Sequence, residues 1–415
     1  IKQAISRIQK MGVGKRKINY RIRDAIFSRQ RYWGEPFPVF YKNETPFLIK
    51  KNECVELPLV DKYLPTKKGE PPLARAKKKD WNIFEGEKME YNTMPGWAGS
   101  SWYFLRFMDP GNNTQFVSKD KAKYWGQVDL YVGGAEHAVG HLLYSRFWTH
   151  FLYDHGYIDF EEPFKKLINQ GMILGRSNFV YRILNTNDFV TFEKKEDYKT
   201  TKIHVDIELV DNDILDIDKF KKWRSEFANA KFILNEKNNY LCGFEVEKMS
   251  KSKYNTQAPD DLIEKFGADT LRMYEMFLGP LEQFKPWDTK GINGVHNFLK
   301  KFWKLTHSED NKFIISEEQP SKKEYRALHQ CIKKVTEDLD RFSFNTVVSN
   351  LMICLNDLIS LNCNKREIIH DFVILLSPYA PHISEEIWAS LGYHYSINFA
   401  NWPNFIPNYL EDNST

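Results

Sequence analysis

The spacing of apolar residues divides the chain into regions of different character. In the last third, apolar side chains recur every three or four residues, as at Leu328, Ile332 and Val335, which predicts amphipathic helices. A helical bundle is therefore predicted for residues 293–415. Between residues 177 and 243, polar and β-branched residues alternate instead, and this pattern predicts an inserted, partly β module.

A shorter pattern near residue 130 combines a strand, a glycine pair and a helix. The run VDLYVGG predicts a buried strand closed by Gly133 and Gly134. The following EHAVGHLLYSRFWTHFLYDHG predicts a helix that ends at Gly156. Strand, Gly-Gly turn and helix together make half of a nucleotide-binding βαβ unit.

The N-terminal segment is distinguished by its charge. Its first residues, IKQAISRIQKMGVGKRK, predict a helix already under way at Ile1, so the chain is expected to be a fragment or a processed piece. Residues 1–31 contain ten basic residues and one acid, a local net charge of +9 within a total of +4, which leaves −5 for the rest. Basic residues interleaved with Tyr20, Tyr32 and Trp33 are typical of a surface that contacts a phosphate backbone. Charge alone leaves a solvated basic helix equally open.

Composition narrows the class of protein. A chain of 415 residues with 42% hydrophobic and 27% charged residues is expected to be globular and to contain several domains. No apolar run reaches the length of a membrane span and no secretory signal opens the chain, so a cytoplasmic protein without membrane contact is expected. The five scattered cysteines form no CxxC pair, which predicts neither disulfides nor structural zinc.

Residues 248–252, Lys-Met-Ser-Lys-Ser, are the strongest chemical signal. Two lysines three residues apart can both face a triphosphate, with serine hydroxyls and backbone N–H groups completing the contacts. Lysines that close on the departing pyrophosphate stabilise the transition state, so Lys248 and Lys251 are the predicted catalytic residues. An exposed Lys/Ser loop is the alternative, but a helix start at Pro259 and Asp260 follows, as expected beside a functional loop.

A KMSKS sequence downstream of a Gly-Gly-x-Glu-His turn resembles the class I aminoacyl-tRNA synthetases. The segment RDAIFSRQRYWGEPFP (Arg23–Pro38) is similar to the part by which these enzymes re-enter the catalytic domain after their editing insertion. LSPYAPHISEEIWASLGY (Leu376–Tyr393) resembles the late helices of their tRNA-binding bundle. The pair Glu136-His137 within YVGGAEHAVGHLLYSRFW resembles the leucyl form, since isoleucyl and valyl relatives carry Asp-Gln there and the methionyl relative Lys-Asp.

The resemblance implies an α/β fold: the second half of a Rossmann-type class I catalytic domain, followed by an α-helical tRNA-binding bundle. The regions expected are a basic re-entry segment (1–40), a small loop-rich insertion (41–90), the second Rossmann half (91–176), the inserted module (177–243), the KMSKS loop and stem (244–292), and the bundle (293–415). The family's His-x-Gly-His element, most of its editing domain and its last small domain have no counterpart here. The active site is therefore expected to be incomplete, with the other half either in a separately encoded N-terminal chain or in the same, longer protein.

The resemblance also implies the roles of individual residues. The predicted ATP contacts are Gly133, Gly134, Glu136, His137, Met172, Lys248, Met249, Ser250, Lys251 and Ser252. The predicted leucine pocket consists of Trp97, Ser100, Tyr103 and His141, with Trp97 where the family usually has Phe. The predicted tRNA contacts are Lys15, Arg16, Lys17, Arg29, Arg31 and Trp33. Two alternatives stay open: Trp97 and Tyr103 as plain core residues, and His137 and His141, four apart, as a zinc pair without a third ligand.

The function implied is that of a leucine–tRNA ligase, which uses ATP to activate leucine and transfers it to leucine tRNA. ATP is then a substrate that brings Mg²⁺, leucine and tRNA are the partners, and the isolated chain is expected to be inactive. A synthetase for isoleucine, valine or methionine, and a non-catalytic tRNA-binding fragment, are the alternatives.

Overall fold

The computed structural model describes residues 2–18, 26–50, 54–81 and 87–410. The chain forms two compact units, the first made of residues 1–131 and 136–167 and the second of residues 132–135 and 168–415. Tyr20, Arg21 and Arg23 of the basic segment, and with them the beginning of the re-entry segment, lie outside the described residues.

The first unit combines one small sheet with short helices. Its elements up to residue 125 are α1 (Lys2–Lys10), β1 (Val39–Lys42), β2 (Thr45–Leu48), α2 (Lys78–Trp81), β3 (Lys88–Met89), α3 (Tyr103–Met108) and α4 (Lys119–Trp125). Strands β1 to β3 form an antiparallel sheet in the order β2-β1-β3. Helix α5 (His141–Asp154) also belongs to this unit. Strand β4 (Tyr131–Gly134) begins with the last residue before 132, where the second unit takes over, and pairs with β5 (Leu167–Gln170). A parallel bridge between Val128 and Phe164 precedes that pair.

Two hydrophobic clusters hold this unit together. One lies around the small sheet and contains Tyr32, Phe40, Ile49, Leu73, Trp81 and Met89. The other joins α3, α4 and α5 and contains Phe104, Leu105, Val117, Ala122, Leu152 and Ile158. The second cluster fixes the helices that carry the predicted leucine pocket.

The predicted N-terminal helix is shorter than its sequence indicated. Helix α1 ends at Lys10, and the backbone of Gly12 has a φ of +68°, the left-handed conformation that commonly follows a helix end. The basic residues Lys15, Arg16 and Lys17 therefore lie beyond the helix, in irregular chain.

The second unit begins with a sheet built around one long strand. Its strands are β6 (Ile173–Ile183), β7 (Phe189–Val190), β8 (Thr200–Val205), β9 (Val210–Asp211), β10 (Ile214–Leu215), β11 (Phe232–Ile233), β12 (Gly243–Lys248) and β13 (Lys285–Pro286). Strand β6 pairs with β7, β8 and β12 in antiparallel fashion and with β13 in parallel. Helix α6 (Ile217–Trp223) packs with these strands around a buried cluster of Val180, Phe189, Val205, Phe220, Phe227 and Tyr240.

Strands β6 and β12 lead the chain into and out of the inserted module. Their antiparallel register runs from Gly243 opposite Phe179 to Lys248 opposite Leu174. The KMSKS sequence thus starts at the last residue of a strand that is hydrogen-bonded over its whole length. A loop entered from such a strand has a fixed starting point.

Helices fill the rest of the second unit. They are α7 (Pro259–Phe266), α8 (Ala268–Phe277), α9 (Ile292–Thr306), α10 (Lys322–Asp340), α11 (Phe344–Ser360), α12 (Arg366–Leu376) and α13 (Pro381–Ser390). The predicted C-terminal bundle is confirmed, and its apolar stripes meet in one large core. A capping box of Ser321 and Glu324 starts α10. Among the described residues no helix is long and apolar enough to cross a membrane.

Candidate active site

Aromatic and histidine side chains gather at the start of α5 in the first unit. The ring of Trp97 lies 5.2 Å from that of His137 and 6.1 Å from that of His141. Tyr103 and Tyr131 stack on His141, with ring centroids 5.7 and 5.8 Å away. The structure therefore brings together three of the four predicted pocket residues and adds Tyr131, which the sequence analysis had missed.

A chain of hydrogen bonds links the polar atoms of this cluster. The Tyr103 and Tyr131 hydroxyls lie 2.5 Å apart, and the Tyr131 hydroxyl lies 2.5 Å from Nε2 of His141. Burial, and then the proximity of His137, lower the pKa of His141, so its ring is neutral at pH 7. A neutral ring with the hydrogen on Nδ1 accepts from Tyr131, which accepts in turn from Tyr103. Burial and the Tyr103 hydroxyl raise the pKa of Tyr131, so Tyr131 stays a hydrogen-bond donor.

The backbone before α5 makes room for the Trp97 ring. Gly140 precedes the helix, and a Cβ atom there would lie 3.0 Å from Nε1 of Trp97. Such a contact is tighter than most side chains tolerate, so glycine allows the indole to lie against the turn. Trp97 itself stays 40% exposed.

Two details of the predicted strand–turn–helix unit were wrong. The strand β4 is not buried, because Val132 is 42% exposed and β4 pairs with β5 in a sheet of only two strands among the described residues. The helix does not begin at Glu136, because residues Ala135–His137 form a 3-10 turn and α5 begins at His141. Glu136 and His137 are thereby left on an exposed turn, with Oε1 and Nε2 3.9 Å apart.

Ser100 stands apart from the aromatic cluster in its contacts. Its side chain is exposed, and its hydroxyl points back to the carbonyl oxygen of Gly96 at 3.5 Å. Among the described residues, no hydrogen bond joins its side chain to Tyr103 or His141. Its assignment to the leucine pocket stays a prediction.

The KMSKS residues form a short turn in the second unit. Lys248 ends β12, and a 3-10 turn covers Lys251–Lys253. Both Lys248 and Lys251 are exposed. The hydroxyls of Ser250 and Ser252 lie 3.1 Å apart on the same turn.

The buried side chain of Asn255 is hydrogen-bonded to the backbone of this turn. Asn255 is 1% exposed, its Oδ1 accepts from the backbone N–H of Ser250 at 2.9 Å, and its amide donates to Ser177 Oγ at 2.9 Å. The amide also lies 3.4 Å from the Lys248 carbonyl. The turn therefore has a fixed base and two exposed lysines, and the phosphate contacts predicted for these lysines stay a prediction.

Met172 lies between β5 and β6 rather than within a strand. Its backbone carbonyl accepts from the N–H of Lys285 at 3.1 Å, next to the parallel pair of β6 and β13. Gly133 and Gly134 end β4. The adenosine contacts predicted for these residues stay predictions.

The residues predicted to contact tRNA are exposed, but they differ in their surroundings. Lys15, Arg16 and Lys17 extend from irregular chain. The Arg29 guanidinium donates to the carbonyl oxygens of Ile26 and Ser28 at 2.9 and 2.8 Å. Arg31 is exposed, and the indole of Trp33 is 70% exposed.

The described residues contain no group of three or more His, Cys, Asp or Glu side chains placed to hold a metal ion. The rings of His137 and His141 both lie near that of Trp97. The residues missed by sequence reasoning, Tyr131 and Asn255, had a faint signal. Tyr131 lies two positions before the first glycine of the pair, and Asn255 lies three positions after the end of KMSKS.

Comparisons with known proteins show which chains this one is similar to. Residues 322–415 match the family described as the anticodon-binding domain of tRNA ligase. A LeuRS from Agrobacterium radiobacter, solved in ternary complex with tRNA and LeuAMS, aligns with 99% of this chain. The alignment covers 47% of the LeuRS chain, with a TM-score of 0.66 and 25% sequence identity. The fold of this chain matches that of a class I aminoacyl-tRNA synthetase.

Curated relatives narrow the family further. A leucine–tRNA ligase of Cytophaga hutchinsonii is 56% identical over this whole chain and 44% of its own length. One of Phocaeicola vulgatus is 54% identical over the whole chain and 46% of its own length. The chain matches the C-terminal portion of leucine–tRNA ligases, as the resemblance implied, and it spans less than half the length of these relatives.

Proposed function

We propose that this chain forms part of a leucine–tRNA ligase that activates leucine with ATP and transfers it to leucine tRNA. The observation that carries the proposal is the KMSKS turn, with Lys248 and Lys251 exposed above the buried Asn255. The identity of 56% to a leucine–tRNA ligase, over the whole of this chain, supports the choice of reaction.

Catalysis would come from positioning and charge, without a protein nucleophile. The leucine carboxylate would attack the α-phosphorus of ATP, and pyrophosphate would leave with Mg²⁺ brought by the nucleotide. Lys248 and Lys251 would neutralise the charge that builds on the leaving group. Glu136, His137, the glycines of β4 and the backbone at Met172 would contact the adenosine part.

The leucine side chain would bind against Trp97, Tyr103 and His141. These rings offer an apolar wall, and the hydroxyl chain through Tyr131 keeps the polar atoms of the wall bonded to one another. An apolar substrate then leaves none of these groups without a partner. Ser100 is proposed at the edge of the same pocket.

The basic segment and the bundle would bind tRNA. Lys15, Arg16 and Lys17 are exposed cations without regular structure, suited to follow a phosphate backbone. Arg29, Arg31 and Trp33 are proposed as further contacts, and residues 322–415 match an anticodon-binding family.

Pyrophosphate exchange tests the proposal. The purified chain should not exchange pyrophosphate into ATP, because it encodes no His-x-Gly-His element to face the KMSKS lysines. Combined with the N-terminal portion of the Cytophaga relative, it should exchange in the presence of leucine, and not of isoleucine, valine or methionine. Exchange driven by another amino acid would assign a different synthetase. Binding of leucine tRNA without any exchange in the combined protein would favour a non-catalytic tRNA-binding role.

A further inference from the structure

Two aromatic rings from different parts of the first unit meet on its surface. Trp33 comes from the segment before β1 and is 70% exposed, and Tyr63 comes from the loop-rich insertion and is 55% exposed. Their ring centroids lie 5.6 Å apart, with 47° between the ring planes. A single exposed aromatic side chain is common, but a touching pair keeps a large apolar area in water and indicates a binding surface.

A buried tyrosine lies against both exposed rings. The ring of Tyr32, which is 6% exposed, lies 4.9 Å from that of Trp33 and 4.6 Å from that of Tyr63. Its hydroxyl donates to the Pro58 carbonyl oxygen at 2.9 Å, and its ring belongs to the buried cluster around the small sheet. The exposed pair is therefore packed on the core of the unit, and it loses little conformational freedom when a ligand binds.

Arg75 fixes the loop that carries Tyr63. Its guanidinium donates to the carbonyl oxygens of Leu64 and Pro65, each at 2.6 Å, and also lies 3.6 Å from a carboxylate oxygen of Asp61. These contacts hold the chain on both sides of Tyr63. The position of the Tyr63 ring is thus set before a ligand arrives.

Exposed cations flank both aromatic residues along the chain. Arg31 lies two residues before Trp33, Lys62 directly precedes Tyr63, and both cations are exposed. Neither has an ion-pair partner among the residues that the structure describes, and the neighbouring acid, Asp61, is engaged by Arg75. Proteins bind single-stranded nucleic acid by this combination, because bases stack on the aromatic faces and phosphates meet the cations.

The segment that carries Trp33 is bonded to the segment that leads into the proposed leucine pocket. Arg29 and Thr93 exchange backbone hydrogen bonds at 2.8 and 3.0 Å, and the Thr93 hydroxyl donates to the Arg31 carbonyl at 2.9 Å. Trp97 follows Thr93 by four residues. A strand of RNA on the aromatic pair is therefore brought to the part of the unit that carries the proposed pocket.

We propose that Trp33 and Tyr63 form a stacking surface for the unpaired nucleotides at the 3′ end of tRNA, with Arg31 and Lys62 facing their phosphates. We call this surface the Trp33–Tyr63 platform. The inference rests on the proposed function for the identity of the RNA, and it adds a binding residue from the insertion, Tyr63, and a mode of binding. Unpaired nucleotides offer free base faces, whereas paired bases stack on one another within a helix. The same end of the tRNA has to reach the pocket to receive the leucyl group.

Binding of leucine tRNA by the 415-residue chain tests the platform. Fluorescence anisotropy at one fixed salt concentration compares a 5′-labelled intact tRNA with the same tRNA lacking its unpaired 3′ nucleotides. Trp33→Ala and Tyr63→Ala should each weaken binding of the intact tRNA about tenfold, the scale of one lost base–aromatic stack. Neither should change binding of the shortened tRNA, which also reports whether a variant is folded. Tyr63→Phe keeps the ring and should bind as the parent chain does.

Two controls separate stacking from charge and from general damage. Tyr124→Ala removes another tyrosine of the same unit, 77% exposed, and should bind both RNAs as the parent chain does. Arg31→Gln and Lys62→Gln should each lower the log–log salt slope of binding by about one. The aromatic variants should leave that slope unchanged, because they remove no charge.

The outcomes separate the platform from other uses of this surface. Equal affinity of the parent chain for the two RNAs would overturn it, and so would equal losses for both RNAs in Trp33→Ala or Tyr63→Ala. Variants that bind tRNA normally but fail to associate with the N-terminal portion of the Cytophaga relative would make the surface a contact within the protein, and the proposal would be wrong. The proposed function fails separately, if the parent chain combined with that portion exchanges no pyrophosphate with leucine. The comparison of the two RNAs then still decides the platform.

Discussion

The substitution Tyr131→Phe removes one oxygen from the centre of the hydroxyl chain in the proposed leucine pocket. That oxygen bonds both the Tyr103 hydroxyl and His141 Nε2, each at 2.5 Å. His141 is 8% exposed, so water cannot readily replace the lost partner at Nε2. Tyr103 is only half-buried, so its hydroxyl regains a bond to water.

The expected cost follows from this asymmetry. A buried acceptor left without a partner costs about 1 to 3 kcal/mol, and a lost bond whose other group reaches water about 0.5 to 1 kcal/mol. We therefore expect Tyr131→Phe to destabilise the protein by about 2 kcal/mol, and Tyr103→Phe, which leaves the bond to His141 intact, by less than about 1 kcal/mol. The double substitution should cost about as much as Tyr131→Phe alone, because the hydroxyl–hydroxyl bond is already gone.

Urea unfolding followed by near-ultraviolet circular dichroism measures these differences, provided the slope of the transition is unchanged. In the combined protein, Tyr131→Phe should also raise the leucine KM, because Tyr103 and His141 lose the bond that orients them. Equal midpoints for the parent and Tyr131→Phe, or strictly additive costs in the double variant, would refute the hydrogen-bond chain as described.

Three further results are expected. Lys251→Ala in the combined protein should slow pyrophosphate exchange roughly 100- to 1000-fold with little change in leucine KM, and an unchanged rate would remove Lys251 from catalysis. Neutral substitutions at Lys15, Arg16 and Lys17 should reduce the log–log salt dependence of tRNA binding by up to about three, and an unmoved slope would leave them a solvated surface. Lys253 and Ser177 hold the pKa of Glu247 at about 2, below its ordinary value, so the anchoring of Lys253 should be complete above about pH 4.5 and be lost as the pH falls towards 2. Hydrogen exchange of residues 249–256, corrected for intrinsic rates, should show this pH step in the parent chain and lose it in Glu247→Gln.

The sequence by itself determined the elements whose signal is local or periodic. The apolar stripes of α10 and α11 predicted the bundle, since every turn of an amphipathic helix repeats the same information. The KMSKS pentapeptide and the Glu136-His137 pair indicated the family by their resemblance to its motifs, which are short and continuous in the sequence.

Only the tertiary structure decided which distant side chains meet. Tyr131 reaches Tyr103 and His141 across 28 and 10 residues, and Arg224 reaches Tyr254 across 30. No periodicity encodes such pairs, since they depend on how α3, β4 and α5 pack and on where the module returns to the sheet. The exposure of β4 was not predicted for a related reason. The same residues suit a buried strand or an exposed one, and the number of neighbouring strands decides between them.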